Sequence, residues 1–264
     1  QTQFNQISRL SNWTQDTDAK AVFGQVSMDI GDDMELIMGV RYVRERKAID
    51  ADVCVGQDTL GISNCAGTTT NPYPVVQAIL AATFDTHAHE FYGIERETEH
   101  CLPSLQLEKR LNEDNMIYFS FNSGYKSGGF NAADDQNPAF KLVNGVAVAQ
   151  RTTPGIGFEY DDETADSFEI GGKHTLMDGA MTVNWAMFSS EYIDQQVSTF
   201  VGLGFVVANA ASSDIQGIEV DMQWQYSEQL RLGANVALLD AEYGEFDSAG
   251  CTAAQDSALL GLGN

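Results

Sequence analysis

Apolar and polar residues alternate along most of this chain. In IEVDMQWQY, residues 218–226, Ile218, Val220, Met222, Trp224 and Tyr226 fall on one face of a strand, and Glu219, Asp221, Gln223 and Gln225 fall on the other. In KAVFGQVSMDI, Val22, Val26, Met28 and Ile30 oppose Gln25, Ser27 and Asp29. Past the turn GDD, Met34, Leu36, Met38, Val40 and Tyr42 continue the apolar face, opposed by Glu35 and Arg41. This is a hairpin signature. Three more hairpins follow from the same pattern: CLPSLQLEK and MIYFSFNSGYKSGGFN around LNEDN, ADSFEIGGKHTL and AMTVNWAMFSSEYIDQQ around MDG, and IQGIEVDMQWQY and LRLGANVALLDAEY around SEQ.

The chain therefore reads as all-β, with about eight antiparallel strands in four hairpins joined by tight turns rich in Asp, Gly, Asn and Ser. Connections between hairpins are long, polar and irregular, at about residues 51–99, 132–161, 198–211 and 247–264. Loops beyond about 15 residues are uncommon in compact domains, yet here they recur at one end of the strands. Short turns at one end and long loops at the other are the layout of an up-and-down transmembrane β-barrel. In that layout the apolar face meets lipid and the polar face lines the lumen. Trp224 and Tyr226, on the apolar face beside the short turn, would lie at the membrane interface, and Arg41, Glu219, Asp221, Gln223 and Gln225 would face the lumen.

Composition narrows the choices. With 38 acidic and 14 basic residues the formal charge is −24, which argues against nucleic acid, whose phosphates need concentrated Lys and Arg. No run of about 18 apolar residues occurs, so no helix is expected to span a bilayer. The start, QTQFNQISRLSNW, lacks the basic and apolar regions of a signal peptide. Cys54, Cys65, Cys101 and Cys251 show no zinc spacing, and the proximity of Cys54 and Cys65 in one polar segment makes a loop disulfide plausible.

At GYKSGGFN, residues 124–131, the sequence resembles the strand end found in TonB-dependent outer-membrane receptors, transporters of ferric siderophores and related nutrients. FGQVSMDI with MELIMGVRYVRERK, SFEIGGKHTLMDGAMTVNWAMFSSEYIDQQ, VANAASSDIQGIEVDMQW and LRLGANVALLDAEYGEF fit the same family in the same order, over about residues 20–248. The resemblance implies about eight strands of a presumed 22-stranded barrel plugged by a separate N-terminal domain, and the chain departs from the whole family's pattern in showing no plug domain, no energy-coupling box and no terminal aromatic strand. The expectation is an internal fragment, residues 1–264 forming part of the receptor barrel. The partners implied are a ferric siderophore or similar nutrient, the TonB energy-coupling protein through a region outside the chain, and outer-membrane lipid. No enzymatic role and no cofactor are implied. Two other readings remain open at this point: a small stand-alone barrel with a structural or adhesive role, closed by pairing the region near residue 20 with that near 245, and a soluble carbohydrate-binding β sandwich.

Other chemistry is weaker. GYKSGG lacks the Gly that must precede the Lys of a phosphate loop, and it does not match a nucleophile elbow. Its glycines fit a backbone that bends or packs closely. His87 and His89 in THAHE, with His100, are conceivable metal ligands, but short polar loops commonly carry histidines without one. DDETAD, residues 161–166, lacks calcium-loop spacing and reads as a solvated loop. The carboxylates are scattered, with no pair singled out for hydrolysis.

Overall fold

The computed structural model describes residues 7–57, 88–132, 138–201 and 204–246. Eight long strands form one antiparallel sheet: β1 (Ile7–Ile30), β2 (Met34–Gln57), β3 (His89–Asn112), β4 (Asn115–Lys126), β9 (Glu163–Leu176), β10 (Met181–Val201), β11 (Gly204–Ser227) and β12 (Leu230–Phe246), neighbouring one another in that order. Four shorter strands add two small pairs, β5 (Gly129–Phe130) with β8 (Glu159–Tyr160), and β6 (Pro138–Val143) with β7 (Val146–Pro154). Among the described residues no helix is long and apolar enough to cross a membrane, which says nothing of strands.

The four expected hairpins are present, with register fixed by the alternation. Met28 lies opposite Leu36, and Leu36 opposite Leu107. Further along the sheet, Phe121 lies opposite Phe168, Met187 opposite Ile218, and Ile218 opposite Leu238. A slip of one residue would exchange the two faces. Turn chemistry agrees with this register. Gly31 takes a left-handed φ of 71°, and in the MDG turn Met177, Asp178 and Gly179 do so consecutively, at 56°, 54° and 88°. In the LNEDN turn the Asn112 side chain accepts from the Asp114 N–H at 3.0 Å and from the Asn115 amide at 2.7 Å.

The strands run further than the alternation suggests. β2 and β3 each hold 24 residues, so the connection expected over 51–99 begins only after Gln57 and ends before His89. The range 198–211 is not a loop: apart from residues 202–203, which lie outside the described residues, it continues β10 and β11. The range 132–161 contains the β6–β7 hairpin, turned at Asn144 and Gly145 with φ of 52° and 80°. The charged stretch RERK hides the extension of β2, because it is polar on both faces and interrupts the two-residue period, which resumes at Ile49, Ala51 and Val53 on the opposite face from Met34 to Tyr42. The tail from residue 247 lies outside the described residues.

Two of the alternative folds fail on topology. A sandwich needs a second sheet over the apolar face, yet among the described residues nothing covers it: Val22, Val26, Val40, Val236 and Leu238 are 67%, 61%, 50%, 59% and 67% exposed. A closed eight-stranded barrel needs β1 against β12, and those strands are the two unpaired ends of the sheet.

Among the described residues the buried core is small and lies at the loop end, on the polar face. Ile49, Ala51, Phe91, Phe130, Ala132 and Phe158 form it. A bulge builds it: Gly93 adopts a φ of 64° and its N–H donates to the Asp50 carboxylate at 2.7 Å. The register shift between Ile49 and Ala51 then sets Phe91 against Ala51 and His89 against Val53. Phe91 meets Phe158 edge-on at 4.9 Å and stacks on His89 at 4.2 Å.

Candidate functional site

The sequence assigns Arg41, Glu219, Asp221, Gln223 and Gln225 to one face, and the register puts them there. Counting across the ladder from Arg41 through Leu102, Ser104, Asn122, Ser167 and Ser190 reaches Ile215, whose face also carries 219, 221, 223 and 225. They are not gathered at one point. Arg41 is the eighth residue of β2 from its turn end, and β2 is five strands from β11, where Glu219 and Asp221, ninth and seventh from the turn end, line an open groove of about 520 Å³ with Tyr118, Lys173, Asn184 and Asn235. Tyr118 lies over Gly171, whose missing Cβ leaves room for the ring, and donates to Glu169 at 2.5 Å. Trp224 and Tyr226 lie on the apolar face by the short turn, their rings edge to face at 4.9 Å. At the same end Trp185 Nε1 donates to His174 Nε2 at 3.1 Å, and His174 Nδ1 bonds Asn115 at 2.8 Å, a second aromatic pairing that the alternation does not single out.

On the apolar face the register draws a band with sharp limits. From the turn end it runs Met34, Leu36, Met38, Val40, Tyr42 on β2, beside Met28 and Val26 on β1 and Leu107, Leu105 and Pro103 on β3. The next outward positions are Lys20, Arg44 and Glu99, and Arg44 pairs with Glu97 while Arg46 pairs with Glu95. On later strands Asp166, Glu191 and Asp214 mark the same limit. Met34 to Tyr42 spans about 27 Å along a strand, or about 21 Å in height at a tilt of about 40°, close to the apolar belt of a membrane barrel. Beyond Val43, β2 continues to Gln57.

The GYKSGGFN stretch anchors a strap across the polar face at the loop end. Residues 127–132 and 157–162 pair through β5 and β8 and cover β2 and β3. A Cβ on Gly128 would overlap the Arg96 guanidinium and the Tyr160 carbonyl oxygen, and one on Gly129 would come within 2.7 Å of the Tyr160 hydroxyl oxygen. The two glycines are therefore close-packing residues, not a phosphate cradle. Lys126 pairs with Glu163 at 3.4 Å, and Ser127 donates to Glu45 while accepting from Lys47 at 2.8 Å. Asn131 is 5% exposed and fully used. Its amide donates to Gly157 O at 2.7 Å and Val207 O at 2.8 Å, and its oxygen accepts from Val207 N at 2.8 Å, so the side chain acts as one more strand rung.

Asp162 is the electrostatic centre of the strap. It accepts from Gly128 N at 2.6 Å, from the Thr98 hydroxyl, and from Arg96 Nη1 at 3.3 Å, and bonds His100 Nε2 at 2.8 Å. Burial alone would push this carboxyl up; the Gly128 N–H, Thr98, His100 and Arg96 outweigh it and hold Asp162 below the usual carboxylate range. The DDETAD run is thus not a solvated loop at its centre: the side chains of Asp162 and Glu163 are 12% and 13% exposed. A bulge in β10 near Asp194 aims Gln196 at the strap, where its amide donates to Ser127 O and Asp161 O, each at 3.1 Å. Sequence reading misses this assembly because its members come from six separated segments, on β2, on β3, at 126–132, at 157–163, at Gln196 and at Val207.

The histidines diverge. His89 is buried on Phe91 and His100 is held by Asp162, while His87 lies outside the described residues. Among the described residues no group of His, Cys, Asp and Glu side chains could hold a metal ion. Cys65 lies outside the described residues, so the Cys54–Cys65 pairing does too; Cys101 is a free, exposed thiol.

Comparisons with known proteins agree with this architecture. The chain resembles the ferric yersiniabactin uptake receptor FyuA of Yersinia pestis, with a TM-score of 0.60 and 16% identity over 89% of this chain and 28% of that one. It resembles the siderophore receptor PiuA of Acinetobacter baumannii, with a TM-score of 0.56 and 17% identity over 92% and 29% of the two chains. It also resembles the copper transporter OprC, with a TM-score of 0.58 and 11% identity over 87% and 30%. The chain thus spans less than a third of each. No curated protein matches by sequence. The profile of the family described as TonB dependent receptor-like, beta-barrel, matches residues 1–258, and the chain belongs to that family of bacterial outer-membrane barrels.

Proposed function

We propose that this chain is eight strands of the wall of an outer-membrane receptor that takes up a nutrient complex, a ferric siderophore before other cargoes, with energy from TonB. The observation that carries the reading is the pairing of a family match over residues 1–258 with a sheet whose apolar face is open and bounded by charge. Its two free edges support it further. Unpaired backbone groups in hydrocarbon cost several kcal/mol each, so β1 and β12 need neighbouring strands of the same receptor.

In this reading Arg41, Glu219, Asp221, Gln223 and Gln225 line the lumen, and Trp224 and Tyr226 anchor the wall at the interface on the turn side. The strap and the β6–β7 hairpin help form the external vestibule. Function here is binding and gated passage: residues contribute by shape and charge, and the TonB contact belongs to other parts of the receptor. Two of the similar receptors are named for siderophores and one for copper, which favours a metal-bearing cargo. Uptake of radiolabelled iron by cells expressing the full-length receptor, with and without TonB, tests the proposal. TonB-dependent accumulation from at least one ferric chelate is expected, and accumulation indifferent to both receptor and TonB would overturn it.

A further inference from the structure

Three ladders of the sheet carry an aromatic ring directly opposite a glycine: Tyr118 opposite Gly171, Trp185 opposite Gly172 and Phe188 opposite Gly217. Each ring takes the space of the missing side chain. A Cβ on Gly171 would stand 2.5 Å from both Cζ and the hydroxyl oxygen of Tyr118, one on Gly172 2.5 Å from Trp185 Nε1, and one on Gly217 2.9 Å from Phe188 Cζ. The joints are alike, but their ladders are not. β9 and β10 are joined by the MDG turn and β10 and β11 by residues 202–203, so a short connection already fixes their register. β4 and β9 are joined by residues 127–162.

Alternation does not fix the β4–β9 register alone. It forbids a slip of one residue, which exchanges the faces, and permits a slip of two. In one slipped register Phe119 meets Phe168 and Ile117 meets Ile170; in the other Phe121 meets Ile170, so apolar still faces apolar. Lys126 with Glu163 is one ion pair to an exposed lysine, a weak constraint, and Asn115 with His174 is one hydrogen bond at the turn end. The other ladder without a short turn, β2 with β3, is held by the Gly93 bulge and by Arg44 with Glu97 and Arg46 with Glu95. On β4 the discriminating contact is Tyr118. Its ring lies on Gly171, and its hydroxyl donates at 2.5 Å to Glu169, the next residue of β9 on that face. A slip of two would set the ring against Glu169 or Lys173, and Gly171 is the one glycine of β9 on that face.

We infer that Tyr118, seated on Gly171, locks the register of β4 on β9 and thereby positions the strap at the loop end. A slip of two would carry the strap's roots, Lys126 and Glu163, about 7 Å past each other, parting Gly128 N–H from Asp162 and β5 from β8. The test uses a cysteine-free full-length receptor in lipid vesicles, with paired cysteine substitutions oxidised by copper phenanthroline. Phe119→Cys with Ile170→Cys reports the observed register; Phe119→Cys with Phe168→Cys and Phe121→Cys with Ile170→Cys report the slipped ones, because only directly opposite residues come within disulfide range. With Tyr118 in place only the first pair should cross-link. Tyr118→Ala should raise the slipped cross-links several-fold. It should also speed hydrogen exchange over residues 127–132 and 157–162, although Tyr118 stands about 27 Å of strand from Lys126, a distance over which loss of local packing alone would not act. Tyr118→Phe keeps the ring and should keep the register, and Trp185→Ala, within a hairpin closed by its turn, should keep that of β9 on β10. A heat-modifiable gel shift shows that each variant forms a barrel, and Tyr118→Leu, which has no flat ring to seat, takes the place of Tyr118→Ala if the latter does not. Cross-links of the observed register alone in that variant would overturn the lock. So would slippage in Tyr118→Phe, which would assign the effect to the Glu169 bond, or equal slippage in Trp185→Ala, which would make it a matter of general packing.

Discussion

The membrane-band part of the sheet and its loop end are built on opposite principles. Between Met34 and Tyr42 the wall is one layer thick, with exposed apolar side chains on one face and polar ones on the other. What holds it together is the ladder of backbone hydrogen bonds, and its apolar face is stabilised only when lipid covers it. Beyond Val43 the same strands carry charge on both faces, and cohesion passes to side chains: Phe91, Phe130 and Phe158 are buried, and Asp162 and Asn131 collect hydrogen bonds from distant segments. The solvent changes along one strand, and the source of stability changes with it.

The largest expected effect lies at the loop end. Gly128→Val puts side-chain atoms into the Arg96 guanidinium and the Tyr160 carbonyl, so the strap should detach at a cost of about 3 kcal/mol or more. Hydrogen exchange should rise sharply over residues 127–132 and 157–162 while β11 and β12 stay protected. In the band, Val220→Arg should destabilise the bilayer-inserted receptor by about 2–4 kcal/mol, whereas Asp221→Arg, one residue on and on the other face, should cost far less. Denaturant titration in lipid vesicles compares the two, and equal costs would erase the distinction between faces.

A smaller effect distinguishes the strap by pH. Asp162 has a folded pKa below its unfolded value of about 3.9, so its stabilisation is complete above that value and fades as pH falls through the folded one. Asp162→Ala should loosen the strap by about 2 kcal/mol at neutral pH, by stripping Gly128 N–H and Arg96 of an acceptor, and should flatten the acid dependence below about pH 4. Limited proteolysis across pH reads this out. Smallest is Glu97→Gln: its partner Arg44 is 58% exposed, and the thermal midpoint should not move measurably.

Much of the band was legible in the sequence, because alternation and turn chemistry are local. Met34 to Tyr42 shows its face without any partner, and MDG shows its turn. The loop end was not. RERK and ERETEH are charged on both faces and interrupt the period, so 24-residue strands read as shorter ones. The Asn144–Gly145 pair is a strong local hairpin signal inside the long polar range 132–161, whose length and composition point instead to an irregular loop. Phe91, Phe130 and Phe158 meet only through long-range folding and a bulge at Gly93, which no spacing announces. For the site, the faces of Arg41, Glu219 and Asp221 followed from parity, whereas the seating of Tyr118 on Gly171 appears only when strands β4 and β9 are placed side by side.

The central claim is that alternate residues of β11 face lipid and lumen. Single cysteines at 218 to 223, placed one at a time in a cysteine-free full-length receptor in lipid vesicles, carry nitroxide labels whose collisions with oxygen and with a water-soluble nickel chelate are measured. High oxygen accessibility at 218, 220 and 222, alternating with low values at 219, 221 and 223, is the predicted result. An inverted pattern, or none with a two-residue period, would contradict the account.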